Sequence, residues 1–344
     1  MLGAAEGTLM QTRQLGRTGL RVPVLCLGTM TFGLQCDRET SFAILDAAVE
    51  GGITFLDTAD VYPLGGTLET VGRTEEILGE WMARRGNRER LILATKCMAP
   101  MGSGPNEWGL SRLHVQRAVE ASLRRLRTDC IDLYQTHFCD AMTPIDETLR
   151  ALDDLQRAGK IRYAGCSNYP AWRLAEALAE ASRLGAEGYV SVQPRYNLLY
   201  REIETELLPL CRARGLGVIP YNPLAGGFLS GKHRPGSAPT EGTRVTLGTA
   251  APMYQKRSWH DTQFRVVERL AKEAEARGLD LVSIAVKWVI DRPGVTSAIV
   301  GASRPAQLAA SLAAPGLAID DELAKLLEAA WWELPRRPVD EGYR

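Results

Sequence analysis

Eight short apolar runs, separated by segments of helical periodicity, constrain the fold more than any other feature of this sequence. They are Val24–Gly28, Ile53–Asp57, Leu91–Lys96, Ile131–His137, Ile161–Ser167, Tyr189–Gln193, Leu216–Tyr221 and Thr296–Gly301. Most follow one another at intervals of about 30–40 residues, which is typical of one strand-and-helix unit. The pattern predicts an α/β fold and favours a (β/α)8 TIM barrel. An open parallel sheet is the alternative, because the number of strands does not prove that the sheet closes.

The segments around these runs predict further parts of such a barrel. Residues 145–155 carry apolar side chains at helical spacing, and Gly159 is placed to end that helix. Gln11–Leu15 and Leu20–Val24 flank a short turn and predict an N-terminal β-hairpin across the bottom of the barrel. Residues 231–251 are rich in Gly, Pro, Ser and Thr, so we expect a long loop at the C-terminal face, where barrel active sites lie.

Composition excludes several classes of protein and sets the expected domain organisation. The 41 basic side chains balance 41 acidic ones, so the net positive field that a nucleic-acid binder needs is absent. No stretch reaches the ~18 apolar residues of a membrane span, and residues 1–10 lack the features of a signal peptide. Seven cysteines without a Cys-x-x-Cys pair favour reduced thiols in a cytoplasmic protein. We interpret residues 1–12 as an N-terminal extension and 13–344 as a single domain.

Polar side chains stand where several predicted strands end. Asp57, Lys96 and His137 close three successive apolar runs, and Tyr62 follows the first of them by five residues. Neighbouring strands of a sheet lie ~4.8 Å apart, so three strand ends can bring these side chains together around Tyr62. Each residue alone has an ordinary structural explanation, as a turn cap, a solvated charge or a packed ring. Their order and placement together favour a catalytic site.

The residues around this site identify the sequence as similar to the aldo-keto reductases, nearest the bacterial and potassium-channel β-subunit branch. Asp57-Thr58-Ala59-x-x-Tyr62 matches the N-terminal signature of that family, and Lys96 and His137 stand at the remaining positions of its catalytic tetrad. Residues 159–168 and Tyr221-Asn222-Pro223-Leu224 add independent motifs. The resemblance implies a TIM barrel with an N-terminal hairpin and long C-terminal-face loops, and an enzyme that reduces aldehydes or ketones with NAD(P)H.

The resemblance also implies a role for each of the four residues. Tyr62 is expected to give a proton to the carbonyl oxygen as general acid, although an ordinary phenol of pKa ~10 is a poor donor at neutral pH. Protonated Lys96 is expected to lower that pKa, and Asp57 to keep the amine charged. His137 is expected to hydrogen-bond the carbonyl oxygen. No metal is required, and His137, Cys139 and Asp140 are the only compact group of potential ligands.

A Rossmann-type cofactor site is not expected, because no Gly-x-Gly-x-x-Gly follows the first strand. The resemblance implies instead an extended nicotinamide dinucleotide held by Thr29, Met30, Asp57, Ser167, Asn168, Gln193, Tyr221, Asn222, Pro223, Leu224, Ala225, Gly226, Lys232, Arg244, Gly301, Ser303 and Gln307. Ser167, Asn168 and Gln193 would bind the carboxamide, and Tyr221 would stack on the ring. Residues 222–226 would wrap the pyrophosphate, with Lys232 and Arg244 beside them.

The adenosine end departs from the family pattern. Ala310 and Ser311 stand where a Glu-Asn pair is usual, so adenine recognition is expected to be weaker. Arg304 is either a contact of the 2′-phosphate or a solvated residue at a helix start. NADP(H) is favoured over NAD(H) by the resemblance, and NAD(H) is the alternative.

The sequence indicates the substrate and the partners only in outline. Met30, Phe32, Trp108 and Tyr254 are candidates for a partly apolar pocket that suits an aldehyde or ketone of modest size. The tail 331–338 either folds over this pocket or begins as part of a helix core. The alternative function is a cofactor-sensing regulatory subunit with slow turnover, and a barrel enzyme of unrelated chemistry is a third. Neither a nucleic acid nor a membrane is expected as partner, and the oligomeric state is undetermined.

Overall fold

The computed structural model describes residues 10–335. The strands are β1 (Thr12–Gln14), β2 (Arg21–Pro23), β3 (Leu25–Gly28), β4 (Phe55–Asp57), β5 (Ile92–Cys97), β6 (Ile131–Thr136), β7 (Ile161–Ser167), β8 (Tyr189–Gln193), β9 (Gly217–Val218) and β10 (Ala298–Val300). The helices are α1 (Arg38–Glu50), α2 (Arg73–Arg85), α3 (Arg112–Leu126), α4 (Ile145–Arg157), α5 (Ala171–Leu184), α6 (Leu207–Arg214), α7 (Ala251–Ser258), α8 (Asp261–Ala276), α9 (Leu281–Ile290), α10 (Leu308–Ala313) and α11 (Asp321–Trp332). Seven of the eight predicted apolar runs contain one of the strands β3 to β10, and the eighth, Leu91–Lys96, contains all of β5 but its last residue, Cys97.

The parallel sheet closes on itself, so the fold is the predicted (β/α)8 barrel. Its strands are hydrogen-bonded in the order β10, β3, β4, β5, β6, β7, β8, β9. Parallel bridges between Val218 and Val295 and between Tyr221 and Ile299 join the two outer strands of this order. Closure excludes the open-sheet alternative and brings the carboxyl ends of all eight strands to one mouth.

The predicted hairpin is also present, because β1 and β2 pair in antiparallel fashion from Thr12 to Pro23. Its residues Leu15 and Val22 are buried in one cluster with the interior side chains of the barrel. The turn approaches the strands so closely that only glycine fits at position 16. Gly16 has φ +57°, and a Cβ there would lie 2.8 Å from the carbonyl oxygen of Gly215. The hairpin therefore covers the N-terminal end of the barrel.

The helices pack around the barrel through apolar stripes, and α1, α3, α9 and α11 begin at side-chain caps. Ser111 accepts a hydrogen bond from the His114 backbone N–H at the start of α3. Helix α4 buries Leu149, Leu152 and Leu155 and ends before the predicted Gly159. Within residues 10–335, no helix combines the length and the apolar character that a bilayer crossing requires.

Two expectations concern residues at the ends of the chain. The predicted extension 1–12 lies mostly outside the described residues, and β1 begins at Thr12, within it. In the tail, Trp331 and Trp332 are the last residues of α11: Trp331 packs partly against the core, and Trp332 is exposed. Of the two alternatives for the tail, its start is therefore part of a helix and does not fold over the pocket. Residues 336–338 lie outside the described part of the chain.

Candidate active site

The four predicted catalytic side chains converge at the mouth of the barrel. Asp57 ends β4, Lys96 lies in β5, and His137 directly follows β6. The Lys96 Nζ lies 5.1 Å from the centre of the Tyr62 ring, and the Tyr62 and His137 rings are 5.8 Å apart at an angle of 80°. Parallel strands with their carboxyl ends at one edge produce this arrangement from residues far apart in the chain.

Lys96 and Asp57 form a buried ion pair. The Lys96 side chain is fully buried, and its Nζ donates to Asp57 Oδ2 at 2.5 Å and to the Thr58 carbonyl oxygen at 2.7 Å. Desolvation of the amine would lower its pKa, but the negative charge of Asp57 and the neighbouring Tyr62 outweigh it, so the pKa of Lys96 is raised. Lys96 is therefore an ammonium ion at neutral pH.

The Tyr62 phenol keeps its proton in this site. Desolvation raises its pKa above the ordinary value, and the charge of Lys96 opposes this change without cancelling it. The expected influence of Lys96 thus has the right sign, but the expected net lowering of the Tyr62 pKa is wrong. The reason is that the Tyr62 hydroxyl has lost more hydration than a single cation replaces.

His137 is a neutral imidazole at the cavity wall. Desolvation lowers its pKa well below the ordinary value, and the positive charge of Lys96 acts in the same direction. Its Nδ1 is buried and has no hydrogen-bond partner within the described residues. A neutral imidazole ring can still donate a hydrogen bond to a carbonyl oxygen through its protonated nitrogen.

The structure adds Gln135, which sequence reasoning missed. Its Nε2 donates to Asp57 Oδ1 at 3.0 Å, and Gln193 Nε2 donates to the same oxygen at 2.8 Å. Gln193 Nε2 also donates to Gln135 Oε1 at 3.1 Å. The sequence signal was a glutamine within an apolar run, two residues before His137, where strand alternation turns both side chains to the same face.

Further polar groups continue from Gln193 along the same wall. Ser167 Oγ donates to the Gln193 carbonyl oxygen at 2.9 Å. Asn168 Nδ2 donates to the His137 carbonyl oxygen at 3.0 Å, and the Tyr221 hydroxyl donates to Asn168 Oδ1 at 2.9 Å. Asn168 adopts a left-handed φ of +59°, which turns its amide back towards β6. Residues predicted to hold a nicotinamide are therefore adjacent to the catalytic group.

A cavity of about 400 Å³ contains both groups. Of the predicted residues, Thr29, Met30, Asp57, Tyr62, His137, Ser167, Asn168, Gln193, Tyr221 and Tyr254 line it, whereas Lys96 is buried behind it. Leu64, Leu68, Val71, Pro100, Phe138 and Met253 form its apolar side. Phe32 and Trp108 do not line this cavity: Phe32 is fully buried in the core outside the barrel strands, and Trp108 is 44% exposed.

A second group of predicted residues lies outside this cavity, around the ends of β9 and β10. Asn222 and Ala225 have left-handed backbones, and Asn222 Oδ1 accepts a hydrogen bond from the Gly226 N–H, so residues 222–226 form a tight turn with Pro223 and Leu224 inside it. Beyond β10, Ser303 Oγ donates to Gln307 Oε1 at 3.1 Å. Ser311 is buried, and Ala310 offers no polar side chain.

Three cations gather at this outer group, and we name Lys232, Arg244 and Arg304 the cationic strip. A Cβ at Gly227 would lie 3.5 Å from the Lys232 Nζ, and one at Gly301 would lie 3.2 Å from Arg244 Nη2. Desolvation and the charges of Arg244 and Arg304 lower the pKa of Lys232. No carboxylate of the described residues forms an ion pair with any of the three. Mutually repelling cations without a counter-charge are typical of an anion site.

The long loop reaches across the mouth, as its predicted position implies. The Thr249 N–H donates to the Gly65 carbonyl oxygen at 3.3 Å, and Gln35 donates to the Gly242 carbonyl oxygen. The loop is thus attached to the segments after β3 and β4, on the far side of the mouth from its own strand. Asp140 ties neighbouring loops, since its carboxylate accepts hydrogen bonds from the Leu110 and Met142 N–H groups at 2.8 Å each.

Comparison with known proteins agrees with this geometry. A model described as the aldo/keto reductase family matches residues 24–331. The chain is 41% identical over 323 residues to "Uncharacterized oxidoreductase YrpG" of Bacillus subtilis (strain 168), covering 92% of this chain and 95% of that protein. It is 36% identical over 339 residues to "Probable voltage-gated potassium channel subunit beta" of Oryza sativa subsp. japonica, covering 97% and 100%. It is 34% identical over 317 residues to "Norsolorinic acid reductase stcV" of Emericella nidulans, covering 88% and 77%.

Proposed function

Because the chain belongs to the aldo/keto reductase family and is therefore an NAD(P)H-dependent oxidoreductase, we propose that it reduces uncharged aldehydes and ketones, with NADPH as hydride donor and Tyr62 as general acid. The observation that carries the proposal is the convergence of Tyr62 and His137, with Lys96 buried behind them, on one cavity that Asn168 and Gln193 also line.

The residues of the site fit a nicotinamide dinucleotide. The Ser167, Asn168 and Gln193 side chains supply donors and acceptors for a carboxamide, and the Tyr221 ring stands beside them as a flat surface. The cationic strip is suited to the phosphate groups of such a molecule, because none of its charges forms an ion pair with a carboxylate in the described part of the chain. The cofactor's two chemically different ends thus find different surroundings, one amide-lined and one cationic.

In the mechanism that we propose, the side chains polarise the carbonyl and protonate it. A bound reduced nicotinamide supplies the hydride. Neutral His137 donates a hydrogen bond to the carbonyl oxygen and orients it. Tyr62 transfers its phenolic proton to that oxygen as negative charge develops, and Lys96 stabilises the phenolate left behind. Asp57 keeps Lys96 charged and in place.

The proposed substrate class follows from the apolar side of the cavity. Leu68, Phe138 and Met253 offer only apolar surface, and no lysine or arginine among residues 10–335 lines the cavity. A carboxylate on the substrate would lose hydration without gaining a partner, which is unfavourable. We therefore expect 4-methylbenzaldehyde to be reduced with a kcat/KM at least tenfold above that of 4-carboxybenzaldehyde.

The decisive experiment measures NADPH and NADH oxidation by the purified protein with this pair of aldehydes and a panel of ketones. Turnover with NADPH and preference for the uncharged aldehyde would support the proposal. Tight NADPH binding with very slow turnover across the panel would favour the alternative of a cofactor-sensing regulatory subunit; the similar rice protein is named as a probable voltage-gated potassium channel subunit beta. No binding of either nucleotide would refute both.

A further inference from the structure

The buried amide of Gln135 has a position that suggests a role in the site, although it does not line the cavity. One end of it donates to Asp57 Oδ1, and the other end accepts from Gln193 Nε2. Gln135 therefore connects the residue that holds Lys96 to the residue proposed to hold the nicotinamide. The three side chains come from β4, β6 and β8, three strands that are not adjacent in the sheet.

The chemistry of Asp57 determines how both glutamines are turned. A carboxylate only accepts hydrogen bonds, so each amide must present its NH2 group to Asp57. The Gln135 carbonyl then faces Gln193 and takes the second hydrogen of the Gln193 NH2 group. Both hydrogens of that group are thereby used, and Gln193 Oε1 accepts no hydrogen bond from the described residues. It is the atom left to accept from the NH2 group of a carboxamide.

We propose that Gln135 is a positioning residue that locks the Gln193 amide in the orientation needed to bind the nicotinamide and holds the Asp57 carboxylate towards Lys96. The proposal rests on the proposed function, because it assigns the orienting role for that same cofactor. It predicts that the loss of one buried amide weakens recognition of the nicotinamide end and slows the chemical step, and leaves the adenosine end unaffected.

The test compares Gln135→Met with the wild type. Methionine has a similar length and no strong hydrogen-bonding group, so it preserves packing and removes both contacts. We expect the Kd for NADPH to rise about tenfold and kcat to fall about tenfold, since hydrogen bonds to charged groups are the stronger ones. The Kd for 2′,5′-ADP, which has no nicotinamide, should stay within twofold, and so should the KM for the aldehyde.

Gln263→Met is the matched control, because Gln263 is a buried glutamine on α8 that does not line the cavity. It should leave all four constants unchanged. A Gln135→Met protein that binds NADPH and turns over like the wild type would overturn the proposal. Equal weakening of NADPH and 2′,5′-ADP would also overturn it, since that result indicates a general structural effect. If the wild type binds 2′,5′-ADP and NADPH with no carbonyl turnover, the proposed function fails on its own, and the binding arm still tests Gln135.

Gln135→Glu provides a second variant should the methionine protein fail to fold. Its carboxylate would face Asp57 as a like charge, and protonation would restore a donor to Asp57 and an acceptor for Gln193. We expect weak NADPH binding at pH 8 that recovers severalfold towards pH 6, with 2′,5′-ADP binding changing no more than in the wild type. Affinity for NADPH that stays at the wild-type value across this range would contradict the proposal.

Discussion

The catalytic centre (Asp57, Tyr62, Lys96 and His137) and the cationic strip are built in opposite ways. The centre rests on strand ends, and its Lys96–Asp57 pair is buried and satisfied by several hydrogen bonds. The strip comes from loops, and its Lys232 and Arg304 are exposed. Its charges repel one another instead of pairing within the chain.

The difference indicates which part of the site is complete before the cofactor binds. The two charges of a buried ion pair already attract each other in the folded protein before any ligand binds. Substitutions there therefore affect folding as well as chemistry. An exposed group of like charges gains its counter-charge only from a ligand, and salt screens it. Substitutions in the strip should therefore change affinity and leave folding and the chemical step largely intact.

Tyr62→Phe should have the largest effect on activity and sharpen the distinction. Removal of the acid is expected to reduce kcat for carbonyl reduction by about 10²–10⁴-fold, because a positioned general acid contributes that much. The Kd for NADPH, measured by fluorescence, should change little. Tyr254→Phe is the control, since Tyr254 lines the same cavity and lies next to Arg244. A Tyr62→Phe enzyme with wild-type kcat would show that another group supplies the proton.

Lys96→Met should reveal that the centre is coupled to folding. It leaves the Asp57 carboxylate buried without its cation, which is expected to lower the free energy of unfolding by about 3–5 kcal/mol. The double variant Asp57→Asn, Lys96→Met should recover much of this loss, because no uncompensated charge remains. Urea denaturation at pH 7 measures both. Equal stability of the single variant and the wild type would mean that Asp57 is solvated or protonated.

The sequence predicted the catalytic centre better than the cationic strip, because the centre lies on strand ends and the strip lies on loops. Strand ends in a parallel sheet converge whatever the loops do, so Asp57, Lys96 and His137 could be grouped from their place in the apolar runs. Closure could not be derived from the apolar runs, because it depends on isolated bridges, Val218–Val295 and Tyr221–Ile299, between segments far apart in the chain.

Side-chain environment was harder to predict than backbone placement. The net pKa of Tyr62 depends on how much water its hydroxyl loses, and the role of Gln135 depends on which way its amide faces. The spacing of residues in the sequence predicts neither of these. Phe32 and Trp108 were assigned to the pocket from sequence proximity alone. The structure turns Phe32 into the core and leaves Trp108 at the surface.

His233, in the loop that carries Lys232 and Arg244, should make the folded protein less stable in acid. His233 follows Lys232 and is buried against Phe228 and Trp259, with ring centres 5.5 and 5.3 Å away. Desolvation and the charge of Lys232 lower its pKa to about 4. Between its ordinary pKa of 6.5 and about 4 the unfolded chain binds the proton and the folded chain does not, so stability is lost as the pH falls through this window.

His233→Phe should reduce that loss. Phenylalanine fits the aromatic surroundings and does not titrate, so the free energy of unfolding should fall less between pH 7 and pH 4, by at most about 3 kcal/mol. Urea denaturation at several pH values measures the slope of the free energy of unfolding against pH, and the difference in this slope between variant and wild type is the test. His114 and His137 also have lowered pKa values, so they contribute to the loss in the wild type and in the variant. An unchanged slope would mean that His233 is protonated in the folded protein.

Arg304→Ala should have the smallest effect and decide what the outer end of the strip recognises. If Arg304 contacts the 2′-phosphate, the first of the two alternatives for this residue, the Kd for NADPH should rise about tenfold, and the Kd for NADH, which lacks that phosphate, should not change. The NADPH difference should shrink as salt is raised, because Arg304 is exposed. Equal weakening of the binding of both nucleotides would assign Arg304 to the pyrophosphate, and no change in either Kd would make it a solvated charge.

Arg157→Ala, on the exposed face of α4, is the control for a general loss of positive charge. Since kcat at saturating NADPH should stay at the wild-type value, a fall in kcat would break the separation of strip from centre.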